Sequence, residues 1–169
     1  LISQKKIWSL EEIKAVQTDV TSSTKPAIAK EFSAVLRATS DYTTQKIYAD
    51  ALAVLSNWDG RHDLNDVAPT IFYTMMSYLL AFTMEDELGE EDFEVFSDTW
   101  CMRATTNQLP LNDASPWWDN VSTKNVKENR ATIFKLAFDS TIIHLQKELG
   151  TDVSHRTWGN VHTIEQTHP

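Results

Sequence analysis

Two long segments with apolar residues at helical spacing constrain the fold of this chain most strongly. The first runs from about Val67 to about Met84, and the second from about Glu128 to Leu149. Apolar residues that recur three and four positions apart share one side of a helix, and Gly150 is the usual kind of residue just beyond a helix end. The first segment is apolar on two neighbouring faces, formed by Ile71, Met75, Tyr78 and Phe82 and by Phe72, Met76 and Leu79. It is therefore predicted to be the central, most buried helix.

Four other segments are predicted to be helical. Ser9-Leu10-Glu11-Glu12 matches a capping box, in which a hydroxyl and a carboxylate satisfy free amides at a helix start. Pro26 suits the first turn of the second helix. Ser40 can cap the third helix, which Gly60 stops. The apolar positions of the four helices are Leu10, Ile13, Val16 and Val20; Ile28, Phe32, Val35 and Leu36; Ile47, Ala51, Val54 and Trp58; and Phe93, Phe96 and Trp100.

The rest of the chain completes an all-α prediction. Residues 105–124 lack a clear period and contain Pro110, Pro116 and the pair Trp117-Trp118, which indicates a packed loop with at most a short helix. No segment alternates with period two, and four Gly and five Pro are few for an all-β fold with many tight turns. We predict one domain over residues 1–169, a bundle of about six helices with an irregular Pro/Trp-rich loop and an extended C-terminal tail.

Charge and cysteine content restrict the possible partners. A net charge of -9 disfavours nucleic acid, because proteins that bind it need clustered Lys and Arg. No apolar run reaches the roughly 18 to 20 residues that span a bilayer, so no membrane partner is predicted. The single cysteine, Cys101, excludes an internal disulfide, and its neighbours Trp100 and Met102 predict a packed position rather than a reactive thiol.

Two clusters resemble metal sites without matching one. His162-x-x-Glu165-x-x-His168 offers three possible ligands, but its spacing is not that of the i, i+4 histidine pair of a zinc helix. Hydrogen-bonded loop histidines are the preferred interpretation. The acidic residues between Glu85 and Asp92 lack the alternating oxygen ligands of a calcium loop, so they are interpreted as a solvated helix junction.

No nucleophile can be assigned from the residues alone. Ser115 precedes Pro116 and lacks the Gly-x-Ser-x-Gly pattern of a hydrolase elbow. Asn120-Val121-Ser122 matches a glycosylation acceptor, a pattern too short to decide anything. Trp117-Trp118 could stack on a ligand, but packing at a core edge is the preferred interpretation. No catalytic residue, metal ligand or cofactor-binding residue is therefore predicted, and no cofactor.

Several short motifs occur in an order that resembles a known family. Leu55-Ser56-Asn57-Trp58-Asp59-Gly60 contains a Trp-Asp-Gly turn, and Trp158-Gly159 with His162 and His168-Pro169 forms a closing motif. The opening residues Ser9–Glu12 and Gln17–Val20 precede them, and the Phe72 helix with Asp86-Glu87 lies between them. Together these segments resemble the penicillin acylase (penicillin amidase) family of N-terminal-nucleophile hydrolases, along essentially the whole chain.

The resemblance implies amide hydrolysis by catalytic residues that have no counterpart among the residues of this chain. In that family a precursor cleaves itself to expose a nucleophile, usually Ser, as the first residue of the β-subunit. The α-amino group of that residue acts as general base, and its ordinary pKa of about 7.7 to 8.0 suits the task. Family order places the nucleophile, the oxyanion Asn and a nearby Arg before Leu1, and the amine of Ser3 is tied in a peptide bond. The family's calcium ligands also lie outside the matching stretch.

The chain is accordingly expected to be a helical fragment of a β-subunit, inactive by itself. Its expected partners are the αββα sandwich and small subunit of the parent enzyme, and the parent's substrate is a linear amide of penicillin, cephalosporin or acyl-homoserine lactone type. Family members are commonly exported, so a periplasmic or extracellular location is expected. Uncovered surfaces could drive self-association of the fragment. The alternatives are a free-standing acidic all-α interaction domain without catalytic activity and, last, metal-dependent catalysis through His162, Glu165 and His168.

The motif residues are expected to have structural roles. Trp58 at a helix end can anchor one helix against another, while Asp59 and Gly60 turn the chain, with Asp59 accepting hydrogen bonds from the following backbone. Trp158 and His162 are expected to pin the exit segment to the bundle.

Overall fold

A computed structural model describes residues 7–164, and within them the chain is all-α, as predicted. Residues 7–164 form eight α-helices where about six were predicted: α1 (Leu10–Gln17), α2 (Lys25–Thr39), α3 (Lys46–Ser56), α4 (Ala68–Leu88), α5 (Glu90–Ser97), α6 (Trp100–Gln108), α7 (Arg130–Leu149) and α8 (Trp158–Val161). Short 3-10 helices occur at Leu109–Leu111, Pro116–Trp118 and Val153–His155. No residue between 7 and 164 lies in a β-strand.

Helix α4 is the centre of the bundle, which confirms the prediction from its two apolar faces. It packs most extensively against α7, and α2 and α3 complete the bundle around them. The Phe32 ring of α2 meets Phe134 of α7 edge-on at 4.6 Å between centroids and Phe72 of α4 at 5.8 Å. Such tilted contacts between aromatic rings add to the stabilisation from burial. The core therefore lies between α2, α4 and α7.

Several helix ends follow the predicted capping chemistry. The Ser9 amide donates to Glu12 Oε2 at 2.9 Å, and the Glu12 amide donates to Ser9 Oγ at 3.3 Å, which completes a capping box at α1. Pro26 lies in the first turn of α2. Gly150, with φ of 83°, follows α7, and its left-handed backbone is a conformation that glycine adopts without strain.

Ser40 does not cap α3, so that prediction is wrong. Its extended backbone ends α2 instead, with its amide donating to the Leu36 carbonyl at 3.0 Å. The Asp41 carboxylate then accepts from the Thr43 amide at 3.0 Å and forms an Asx turn. Because this local hydrogen bond competes with helix formation, α3 begins only at Lys46.

The single helix predicted around Phe93, Phe96 and Trp100 is divided into α5 and α6. The Thr99 amide and hydroxyl donate to the Phe96 carbonyl at 3.0 and 2.7 Å, and these bonds end α5. After this break the residues of α6 no longer continue the partly buried face of α5, and Trp100 is 75% exposed and Cys101 exposed. The predicted packing of Cys101 is therefore wrong.

The Pro/Trp-rich segment is packed as predicted, although α6 extends into it as far as Gln108. Trp118 is buried, its Nε1 donates to the Asn112 carbonyl at 2.8 Å, and its ring meets Phe134 at 5.7 Å. This contact confirms the interpretation of the Trp pair as packing at a core edge. In the predicted extended tail, Trp158–Val161 form the one-turn helix α8, and residues 165–169 lie outside the described residues.

Helix α1 forms as predicted but buries no residue. Its apolar stripe faces solvent, with Leu10 66% exposed and Ile13, Val16 and the following Val20 also exposed. The capping box and periodicity thus predict the helix but not what covers it. None of the helices described between residues 7 and 164 is long and apolar enough to cross a membrane.

Candidate functional site

Two motifs that lie one hundred residues apart in sequence meet in one group of rings. Trp58 follows the end of α3, and Trp158 begins α8. Between them lie side chains from the loop after α3 and from the first turns of α4. We call this group the aromatic cluster, which consists of Trp58, His62, Phe72, Tyr73, Trp158 and His162.

Trp58 is the buried end of the aromatic cluster. Its side chain is 5% exposed, and its ring lies 5.1 Å from Phe72 and 5.2 Å from His62 between centroids. Its indole Nε1 donates to the Arg61 carbonyl at 2.8 Å, which satisfies the one polar atom that the ring carries. Trp58 therefore anchors the end of α3 against α4, as predicted.

Trp158 is the other end of the aromatic cluster and holds α8 to the bundle. Its ring lies 5.3 Å from Tyr73 and stacks on His162 at 4.4 Å. The amides of Trp158 and Gly159 donate to the carbonyls of Asp66 and Leu64 at 2.7 and 2.8 Å. A Cβ on Gly159 would lie 3.0 Å from the Leu64 carbonyl oxygen, so glycine permits this close approach. The predicted pinning of the exit segment is thus confirmed for Trp158, whereas His162 is exposed and, among residues 7–164, stacks only on Trp158.

The turn between Trp58 and His62 connects the aromatic cluster to the start of α2. Asp59 Oδ1 accepts from the Arg61 amide at 3.0 Å, which is the predicted Asx turn. Gly60 has φ of 96°, and its carbonyl accepts from the Ser22 amide at 2.8 Å. This glycine therefore ties the segment before α2 to the segment before α4.

His62 and Tyr73 form a hydrogen-bonded pair that the sequence did not suggest. His62 Nδ1 lies 2.9 Å from the Val20 carbonyl, and Nε2 lies 3.1 Å from the Tyr73 hydroxyl. Because a carbonyl only accepts, Nδ1 carries the proton, and an unprotonated Nε2 accepts from the Tyr73 hydroxyl. Burial raises the pKa of Tyr73, which keeps the hydroxyl a donor. Both nitrogens are occupied, so the geometry is that of a structural contact and leaves His62 no free lone pair for general-base work.

Only one of the three candidate metal ligands lies within the described residues 7–164. His162 stacks on Trp158, whereas Glu165 and His168 lie outside the described residues. Among residues 7–164 no group of three or more His, Cys, Asp or Glu side chains is placed to hold a metal ion.

The two loop positions considered in the sequence make local hydrogen bonds. Ser115 Oγ accepts from the Trp117 amide at 3.3 Å and caps the 3-10 helix that follows. Asn120 Oδ1 accepts from the Ser122 amide at 2.9 Å.

The acidic residues at the end of α4 have one structural contact with the Pro/Trp-rich segment. Asp86 Oδ2 accepts from the Val121 amide at 2.6 Å. Partial burial, together with a hydrogen bond to Asp86 and repulsion from its charge, raises the pKa of Glu87 to about 7. Every acidic residue of the junction except the half-buried Asp86 is exposed, so the junction is solvated, as predicted, and Glu87 titrates near neutrality.

This shifted carboxyl predicts a pH dependence of stability. The Glu87 pKa rises from an ordinary 4.5 to about 7 on folding, so the unfolded chain loses the proton first as pH rises through this window. The stabilisation is complete below about 4.5 and is lost by about 7. Since the side chain is exposed and screened by solvent, we expect a loss of only about 0.2–1 kcal/mol. Urea unfolding at pH 5 and pH 8 measures this difference in the free energy of unfolding, which should disappear in Glu87→Gln and persist in the control Glu90→Gln, on exposed α5. Equal pH dependence of stability in the wild type and in Glu87→Gln would contradict the raised pKa of Glu87.

Comparison with known proteins gives one match. The family model described as penicillin amidase matches residues 1–169, the whole chain. Neither the curated proteins nor the solved structures gave a match.

Proposed function

Because the chain belongs to the penicillin amidase family, we propose that it is the helical structural segment of a hydrolase that cleaves linear amide bonds. The match over the whole chain carries this proposal, and membership in the family suggests a parent enzyme that hydrolyses amides. The aromatic cluster supports the structural role, since the two motifs that carry the family resemblance are used there for packing and backbone hydrogen bonds.

The chemistry is proposed to reside in another part of the parent protein. There an N-terminal Ser would attack the amide carbonyl, with its own α-amino group as general base, and water would then release the acid. Two of the described side chains that could act instead support this division. His62 has both nitrogens occupied, and Ser115 caps a 3-10 helix.

The remainder of the parent enzyme is proposed to cover the apolar face of α1. Trp8, Ile13 and Val16 line an apolar groove on this face, and Leu10 next to it is exposed. Contiguous exposed apolar surface of this kind marks interaction sites. The proposed role of the bundle is to pack beside the αββα sandwich and brace it.

A second candidate function rests on the same exposed face. A free-standing acidic interaction domain would use α1 to bind another protein, and the net charge of -9 would keep it soluble. The coding sequence upstream of Leu1 discriminates between the two functions. The hydrolase proposal expects there a cleavage junction that exposes a Ser, followed by an Asn, whereas the interaction domain requires neither.

An amidase assay tests the division between segment and catalytic part. We expect the purified chain to release no amine from chromogenic anilides of aliphatic or aromatic acids above background. The longer protein should hydrolyse at least one such anilide and lose the activity when its proposed N-terminal Ser is replaced by Ala. Turnover by the chain alone would contradict the structural role, and an inactive longer protein would favour the interaction domain.

A further inference from the structure

A cleft of about 530 Å³ opens between the start of α2, the middle of α4 and helices α5 and α6. Its floor is apolar and includes the buried side chains of Met76 and Leu80. Lys25 and Arg103 line it, and no Asp or Glu does. Clefts of this volume with an apolar floor and a few converging polar groups are the usual form of small-molecule sites.

The two cations in this cleft have no described counter-ion. None of the ion pairs found between residues 7 and 164 involves Lys25 or Arg103. Lys25 is half-buried, and the loss of hydration together with the charge of Arg103 lowers its pKa. Two adjacent cations repel each other, and an anion placed between them would relieve that repulsion. Lys25 lies over the Phe72 ring and Arg103 over the Trp100 ring, and neither contact neutralises the charge of the cation.

Further donors surround the same position. Lys25 Nζ donates to Asn107 Oδ1 at 2.9 Å, which leaves the Asn107 amide NH₂ without a partner among residues 7–164 and available to donate. The first turn of α2 begins at Lys25, so the positive end of that helix lies at the cleft. Charge-assisted hydrogen bonds from such groups favour carboxylate oxygens.

We propose that this cleft binds a small organic carboxylate, with the carboxylate between Lys25 and Arg103 and an aliphatic or aromatic body on the floor formed by Met76 and Leu80. The inference goes beyond the proposed function, because it concerns ligand binding by residues of this chain and not amide hydrolysis. An inorganic anion would use the cations but leave the apolar floor empty, so the size and polarity of the cleft favour an amphipathic acid.

Calorimetric titration of the chain with octanoate tests the proposal. We expect saturable binding of one octanoate with millimolar or tighter affinity, at least tenfold weaker binding of octanol, which lacks the charge, and no binding of octylamine. Inorganic phosphate tests for a plain anion site and should bind at least tenfold more weakly than octanoate. Lys25→Met and Arg103→Met should each weaken octanoate binding at least tenfold, while Lys30→Met, on the exposed side of α2, should leave it unchanged.

Control measurements show whether each variant is folded. Far-UV circular dichroism and the urea midpoint of each variant establish that a lost affinity does not reflect unfolding. Equal affinities for octanoate and octanol, equal affinities for octanoate and phosphate, or unchanged octanoate binding by Lys25→Met would each overturn the proposal. Because the readout is binding, its failure leaves the amidase assay of the longer protein unaffected.

Discussion

Trp58→Ala is expected to destabilise the fold by about 3–5 kcal/mol, the usual cost of removing a large buried aromatic ring. The ring is 5% exposed and contacts both Phe72 and His62, so its loss opens a cavity between α3 and α4. It also leaves the Arg61 carbonyl without its indole donor. Urea unfolding followed by circular dichroism measures the effect as a shift in midpoint at constant slope.

Trp100→Ala is the matched control for this variant. Trp100 is 75% exposed at the start of α6, so the same chemical change should alter the free energy of unfolding by no more than about 0.5 kcal/mol. If the two variants lost similar stability, the aromatic cluster would not be the anchor described above.

Gly60→Ala is expected to cost roughly 2–5 kcal/mol. About 1–2 kcal/mol of this arises because an L side chain at positive φ is strained, and Gly60 has φ of 96°. About 1–3 kcal/mol more comes from overpacking, since the new Cβ would lie 2.2 Å from the Ser22 carbonyl oxygen and 2.9 Å from Pro26 Cγ. The backbone cannot retreat easily, because the Gly60 carbonyl accepts from the Ser22 amide at 2.8 Å.

Gly89→Ala separates the two contributions. Gly89 also has a positive φ, 78°, but a Cβ there would meet no atom within 4 Å. Only the conformational cost should therefore appear, about 1–3 kcal/mol for a residue with φ of 78° and ψ of 163°. Thermal or urea unfolding of the two variants should rank Gly60→Ala clearly below Gly89→Ala, and the opposite order would refute the close packing of Gly60 on the segment before α2.

The apolar periodicity of the sequence predicted where individual helices lie and, for the longest of them, which faces are buried. Helices α4 and α7 have long apolar faces, and a face of that length has few alternatives to burial. Ser40 shows where this reasoning fails, because the Asx turn of Asp41 competes with a helix start and the sequence does not show which prevails. Cys101 shows the effect of phase, since the break at Thr99 rotates the following residues out of the predicted face.

Contacts between segments that are distant in sequence could not be predicted in the same way. The resemblance pointed to Trp58 and Trp158, but His62 joins Val20 to Tyr73 through hydrogen bonds that no spacing encodes. Lys25 and Arg103 are likewise brought to one cleft only by the tertiary arrangement of the helices that carry them. The exposure of α1 could not be inferred either, because periodicity identifies an apolar face and not the surface that covers it.

We propose that the aromatic cluster braces a hydrolase of the penicillin amidase family without taking part in its chemistry. The most direct test is the turnover number per titrated active site of Trp58→Ala in the longer protein, measured beside its thermal midpoint. We expect a lower thermal midpoint and a lower yield of folded enzyme, with turnover per active site close to that of the wild type. A collapsed turnover number at an unchanged thermal midpoint would contradict it.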